Sequence, residues 1–135
     1  MAQNMDDTLH EKYEPREMST AALAFVGDAV FGLMTREYLC RHSRLPVGKL
    51  HKMSVDMVRC EGQAKAAERL LPILTEDETD YYMRGRNTHN SNTPRNASVA
   101  DYRAATGLET LFGYLYLGGK NDRLRELFQI IRSGD

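Results

Sequence analysis

Asp28 and Glu109 are the side chains best placed to do chemistry, because each is a lone acid in an apolar, small-residue stretch of helical pattern. The first lies in Leu23-Ala24-Phe25-Val26-Gly27-Asp28-Ala29-Val30-Phe31, the second in Gly107-Leu108-Glu109-Thr110-Leu111-Phe112-Gly113. A carboxylate buried in such surroundings is costly unless it is paired, hydrogen-bonded or metal-bound, so each calls for a partner. Oxygen donors of this kind suit Mg²⁺, which binds through one or two carboxylates, keeps several waters and takes the rest of its coordination from substrate phosphates. The corresponding chemistry is phosphodiester hydrolysis. Pairing with an interior arginine such as Arg36 or Arg103 is the other reading, and spacing alone leaves both open.

One helical turn to either side of Asp28 stand Ala24 and Gly32, and Glu109 has Ala105 and Gly113 in the same places. Small neighbours either let helices approach closely or leave room above the carboxylate for water, a cation and a phosphate. Basic residues are segregated. No acid occurs from Tyr38 to Val55, where Lys49, His51 and Lys52 stand, or from Met83 to Ala100, where Arg84, Arg86, Asn87, His89 and Arg95 stand. A chain of net charge -1 with such segments can bind a polyanion through one face.

The elements that must carry these residues read as helices. Ser19 suits an N-cap before apolar residues spaced by three and four to about Tyr38. Pro46 opens a short helix through Lys52, and Ser54 a longer one that stops near Pro72. Thr75 with Glu78 forms a capping-box pattern for a helix through Arg84, with Gly85 as its stop. Arg86 to Ala97 lacks periodicity and reads as a long interior loop. Ser98 restarts a helix to Leu117, Gly118-Gly119 ends it, and Asn121 caps a last one containing Leu124, Leu127, Phe128, Ile130 and Ile131. Strict apolar/polar alternation is missing, so the expected class is all-α.

With 135 residues, 41% hydrophobic and 27% charged, the chain suits one soluble domain, read as residues 19–135 behind an N-terminal extension over 1–18. It has no apolar run of membrane-spanning length and no signal-peptide profile at its start, so a cytoplasmic location is expected. Cys40 and Cys60 are too few and too far apart for a disulfide framework or a zinc site.

These residues resemble a known family. Leu23-Ala24-Phe25-Val26-Gly27-Asp28-Ala29-Val30 is similar to the ribonuclease III signature, Leu-Glu-Phe-Leu-Gly-Asp-Ala-Val, and Leu108 to Leu117 resembles the second family helix, in which a Glu is followed four residues later by Gly. Val55-Asp56-Met57-Val58 through Gln63-Ala64 to Leu70 is similar to the helix between them. Where the family usually has a further Glu and Asp, this chain has Ala24 and Thr106, and the double-stranded-RNA-binding domain that ordinarily follows is expected to be lacking. Those departures, with Arg84-Gly85-Arg86-Asn87, Thr93-Pro94-Arg95-Asn96 and Tyr102-Arg103, resemble the family's compact Mini-ribonuclease III branch.

The resemblance implies an all-helical, ribonuclease III endonuclease-like bundle acting as a homodimer on double-stranded RNA. Asp28 and Glu109 carry over as the catalytic, Mg²⁺-binding acids, with 5′-phosphate and 3′-hydroxyl products. The branch's substrate is the stem joining the ends of the large-subunit (23S) ribosomal RNA precursor, with a large-subunit ribosomal protein as a candidate helper. With Ala24 and Thr106 in place of acids, more of the coordination falls to water and phosphate, and the number of metal ions stays open. RNA contacts are assigned to Arg84, Arg86, Asn87, His89 and Arg95, then to Lys49, His51 and Lys52, since duplex RNA is read through phosphate and 2′-hydroxyl groups. A non-catalytic RNA-binding or ribosome-associated protein on the same scaffold is the alternative.

Overall fold

The computed structural model describes residues 14–88 and 98–133. Its described residues form six α-helices and two short 3₁₀ turns, with no strand, in agreement with the all-α expectation. The helices are α1 (Thr20–His42), α2 (Val47–Val58), α3 (Cys60–Leu70), α4 (Glu76–Arg86), α5 (Val99–Leu117) and α6 (Asn121–Arg132). None of them is long and apolar enough to cross a membrane.

α5 is the central element, with α1, α3, α4 and α6 packed around it. Its sequence fits that position: Leu108, Leu111, Phe112 and Leu115 are fully buried, as expected of a helix apolar on more than one face. Phe31 of α1 meets Phe112 of α5 edge to face at 5.5 Å and Phe128 of α6 at 6.0 Å, which closes the core. The start of α4 is tied to α6 by a bidentate ion pair, Arg123 donating to both Glu78 oxygens at 2.8 Å. Burial pushes the Glu78 carboxyl up, but the bonds from Arg123 and Thr75 outweigh it and hold the group below the usual carboxylate range.

The caps expected at Ser19, Thr75 and Ser98 are present, the Thr75–Glu78 pair as a reciprocal capping box. Gly119 takes φ +74° after α5, the left-handed turn that glycine permits. Three boundaries differ. α2 continues past Lys52 to Val58, because Ser54 is buried mid-helix and its hydroxyl donates to the His51 carbonyl at 2.7 Å instead of capping a new helix. The break falls at Arg59, whose backbone turns extended, and the Gln63 side chain donates to the Val58 carbonyl at 2.9 Å to finish α2. α4 runs through Gly85 to Arg86, so Gly85 is an interior contact and not a stop. α6 begins at Asn121 with Lys120 as its N-cap, and no side chain caps it.

Candidate active site

α1 and α5 cross with their backbones in contact, and that crossing creates the site. A Cβ at Gly27 would overlap the Glu109 carbonyl oxygen and lie 2.8 Å from the Gly113 nitrogen. One at Gly113 would overlap the Leu23 carbonyl oxygen and lie 3.2 Å from the Gly27 nitrogen. The room beside Gly113 is therefore filled by α1, so this small neighbour of Glu109 serves close approach instead of leaving a trough. The next residue on α1 is Asp28, and Glu109 lies one turn before Gly113 on α5.

The crossing brings the two carboxyls together. Glu109 is half-buried; burial, then a hydrogen bond with the Asp28 side chain, then the Asp28 charge push its pKa up to about 8. A raised Glu109 keeps its proton at neutral pH and can donate it across that hydrogen bond. Neither Arg36 nor Arg103 forms an ion pair with these acids among the described residues, so the arginine alternative is not realised. The expectation that Asp28 is buried is also corrected. Asp28 is exposed, as are its α1 neighbours Phe25, Ala29 and Leu33, so apolar flanks here mark an open surface and not an interior.

The pair fits a hard divalent cation by its chemistry. Two carboxyl groups converge, and a cation beside them would relieve the repulsion that helps to raise Glu109. No group of three or more His, Cys, Asp or Glu residues in metal-binding arrangement occurs among the described residues, so a cation at this pair would take the rest of its coordination from groups beyond them, such as solvent or phosphate. Thr106 does not stand in for a third acid, since its hydroxyl donates to the Tyr102 carbonyl at 3.0 Å. Cys60, at the start of α3, lies close enough for Glu109 and Asp101 to act on it. Burial first, and then the charges of those two acids, push its thiol up. Sequence reading missed this neighbour, because the distance between the two residues along the chain hides the contact.

The candidate RNA contacts fall into separate groups. Arg84, Arg86 and Asn87 are exposed at the end of α4. Arg84 donates to Asp80 at 3.0 Å and lies 4.7 Å above the Tyr81 ring, whereas Arg86 has no ion-pair partner among the described residues. Lys49, His51 and Lys52 are exposed on α2, which packs on α1 and α3. His89 and Arg95 lie outside the described residues.

Asp28 also borders an apolar groove of about 680 Å³ lined by Phe25, Leu33, Met34, Tyr116 and Leu124. Phe25 and Leu33 are 81% and 66% exposed at its rim.

A family model described as the Ribonuclease III domain matches residues 21–120, spanning both acids and the crossing that joins them. The chain belongs to the ribonuclease III family. Within the ribonuclease III family it is 41% identical to the Mini-ribonuclease 3 of Thermoanaerobacter sp. over 113 residues, covering 84% of this chain and 80% of that one. It is 46% identical to the Mini-ribonuclease 3 of Synechocystis sp. over 121 residues, covering 89% and 82%. These are the relatives that the motifs around Arg84 and Thr93 point to. A crystal structure of a Fusobacterium nucleatum protein superposes with a TM-score of 0.80 at 28% identity, over 88% of this chain and 95% of that one.

Proposed function

We propose that this ribonuclease III chain is a divalent-metal-dependent endoribonuclease that cuts double-stranded RNA, with Asp28 and Glu109 as its metal-binding acids. The observation that carries the reading is the meeting of these two carboxyls at the α1–α5 crossing. Asp28 and Glu109 would hold a divalent cation, Mg²⁺ in the first place, which would supply the charge that lowers the pKa of a water and steadies a departing 3′-oxygen. Glu109 would release its proton to solvent on taking up the cation. Asp28, exposed, faces the side from which RNA arrives. Arg86 donates to phosphate oxygens, Arg84 does so after exchanging its exposed bond to Asp80, and the Asn87 amide offers both donor and acceptor to a 2′-hydroxyl. Lys49, His51 and Lys52 on α2, and by sequence alone His89 and Arg95, are the further candidate RNA contacts. The products are a 5′-phosphate and a 3′-hydroxyl.

The chain acts as a homodimer in this reading. An exposed Phe25 beside an apolar groove supports this reading, because a two-fold interface needs one face that fits its own copy, and each protomer would then serve one strand of the duplex. The likeness to the Mini-ribonuclease 3 proteins supports as substrate the stem of the large-subunit (23S) ribosomal RNA precursor, in the cytoplasm.

The test is incubation of the purified protein with that stem and with an unrelated duplex, in Mg²⁺ and in EDTA. Cleavage of the stem in Mg²⁺ alone, leaving 5′-phosphate ends, is the expected result. Tight binding with no cleavage in Mg²⁺ would contradict it and favour a non-catalytic RNA-binding protein.

A further inference from the structure

The α4–α5 contact is closer than side-chain packing alone would make it. A Cβ at Gly85 would overlap the Thr110 hydroxyl and lie 2.8 Å from the Thr106 carbonyl oxygen. That carbonyl already accepts the Thr110 hydroxyl at 2.7 Å, so neither atom can give way without breaking the bond between them. Across the same contact, a Cβ at Gly107 would lie 2.7 Å from the Tyr82 ring and 2.8 Å from the Tyr82 carbonyl oxygen. One turn back along α4, Tyr81 stacks on Tyr114 at 3.9 Å. The two helices thus run antiparallel, and their register is pinned at three places.

The pinned turn carries the basic arm. Arg84 and Arg86 flank Gly85 in sequence, and Thr110 is next to Glu109. Arg84 is engaged with Asp80 and the Tyr81 ring, while exposed Arg86 has no ion-pair partner among the described residues.

We propose that Gly85 is a positioning residue: by letting the last turn of α4 touch the backbone of α5 at Thr106 and Thr110, it sets where Arg86 holds an RNA phosphate relative to Glu109, and so selects the phosphodiester bond presented to the acid pair. The proposal rests on the reading that the end of α4 binds RNA. The acids themselves are set elsewhere, by the Gly27–Gly113 crossing of α1 and α5. Displacing α4 therefore moves the arm and leaves the carboxyl pair in place.

The separation of these two contacts gives the test. Gly85→Ala is assayed for melting, Mg²⁺ affinity, RNA affinity in EDTA, and the position of the cut on one duplex mapped to the nucleotide. Mg²⁺ and RNA affinities stay at the parent values, while cleavage at the parent bond falls by about 100-fold, the scale expected of a misplacement near 1 Å, or the cut moves to a neighbouring bond. A folded Gly85→Ala that cuts the same bond at the parent rate overturns the proposal. Where Gly85→Ala fails to fold, Thr110→Val is the milder variant, replacing a hydroxyl by a methyl against Gly85, and it is judged by the same cut position and rate. Arg86→Ala in parallel separates the proposal from its premise. Unchanged RNA affinity and salt dependence in that variant would remove the arm itself, and the proposal with it.

Discussion

Glu109 and Asp28 share one proton across the backbone contact between α1 and α5, with Glu109 as its holder up to about pH 8. The unfolded chain releases the same proton near 4.5, the ordinary value for Glu. Between those values the folded, metal-free protein binds more protons than the unfolded one, so stability falls as pH rises. The contribution of the protonated pair is complete below the unfolded value and is lost as pH passes through about 8. Thermal melting in EDTA across that range should show the decline, and Glu109→Gln should flatten it. A parent curve as flat as that of the variant would show that the pair does not hold the proton.

Divalent binding should be linked to the same proton. A cation that takes its place must displace it, so Mg²⁺ binding at pH 7 releases about one proton per site and weakens as pH falls. Calorimetry in buffers of different ionisation enthalpy counts the release. Binding with no proton released would place the cation away from Glu109.

The helical class and the three capped starts were legible in the sequence, because caps and apolar periodicity are local signals. Asp28's exposure was not legible. An apolar flank reads the same whether it faces a core or, as with Phe25 and Leu33, an open groove. The α2–α3 break was misplaced because Ser54 is a residue type that can cap or bond backward, and only tertiary burial decides between them. Gly85 looked like a stop for the same reason. A glycine admitted for close helix approach carries the same letter as one admitted for a turn. Cys60 near Glu109 has no signal at all, since sequence separation hides the contact.

The crossing glycines should be far less tolerant than an open one. Gly113→Ala sets a methyl against the Leu23 carbonyl and should cost about 3 kcal/mol or more, as overpacking against backbone does. Gly48→Ala, on exposed α2 with nothing within 4 Å of the new Cβ, should stabilise slightly, by about 0.5 kcal/mol. Urea denaturation of the two variants gives the comparison. Equal effects would mean that α1 and α5 can separate at no cost.

Assembly should depend on the groove beside Asp28. Light scattering of the parent at micromolar concentration should give twice the 15.4 kDa chain mass, and Phe25→Glu should return it to 15.4 kDa with the helical content kept. A parent protein that is monomeric throughout would remove the paired-centre reading.

The role of the acid pair is tested most directly by Asp28→Asn, assayed on one preparation for melting, RNA affinity and cleavage in Mg²⁺. The change keeps the shape of the side chain, removes its charge, and leaves no arginine unpaired, because none pairs with Asp28 among the described residues. Cleavage should collapse while the helical fold and RNA affinity in EDTA are kept, and the decline of melting with pH should shrink as the Asp28 charge that raises Glu109 is removed. An Asp28→Asn protein that still cuts duplex RNA at the parent rate would contradict the account.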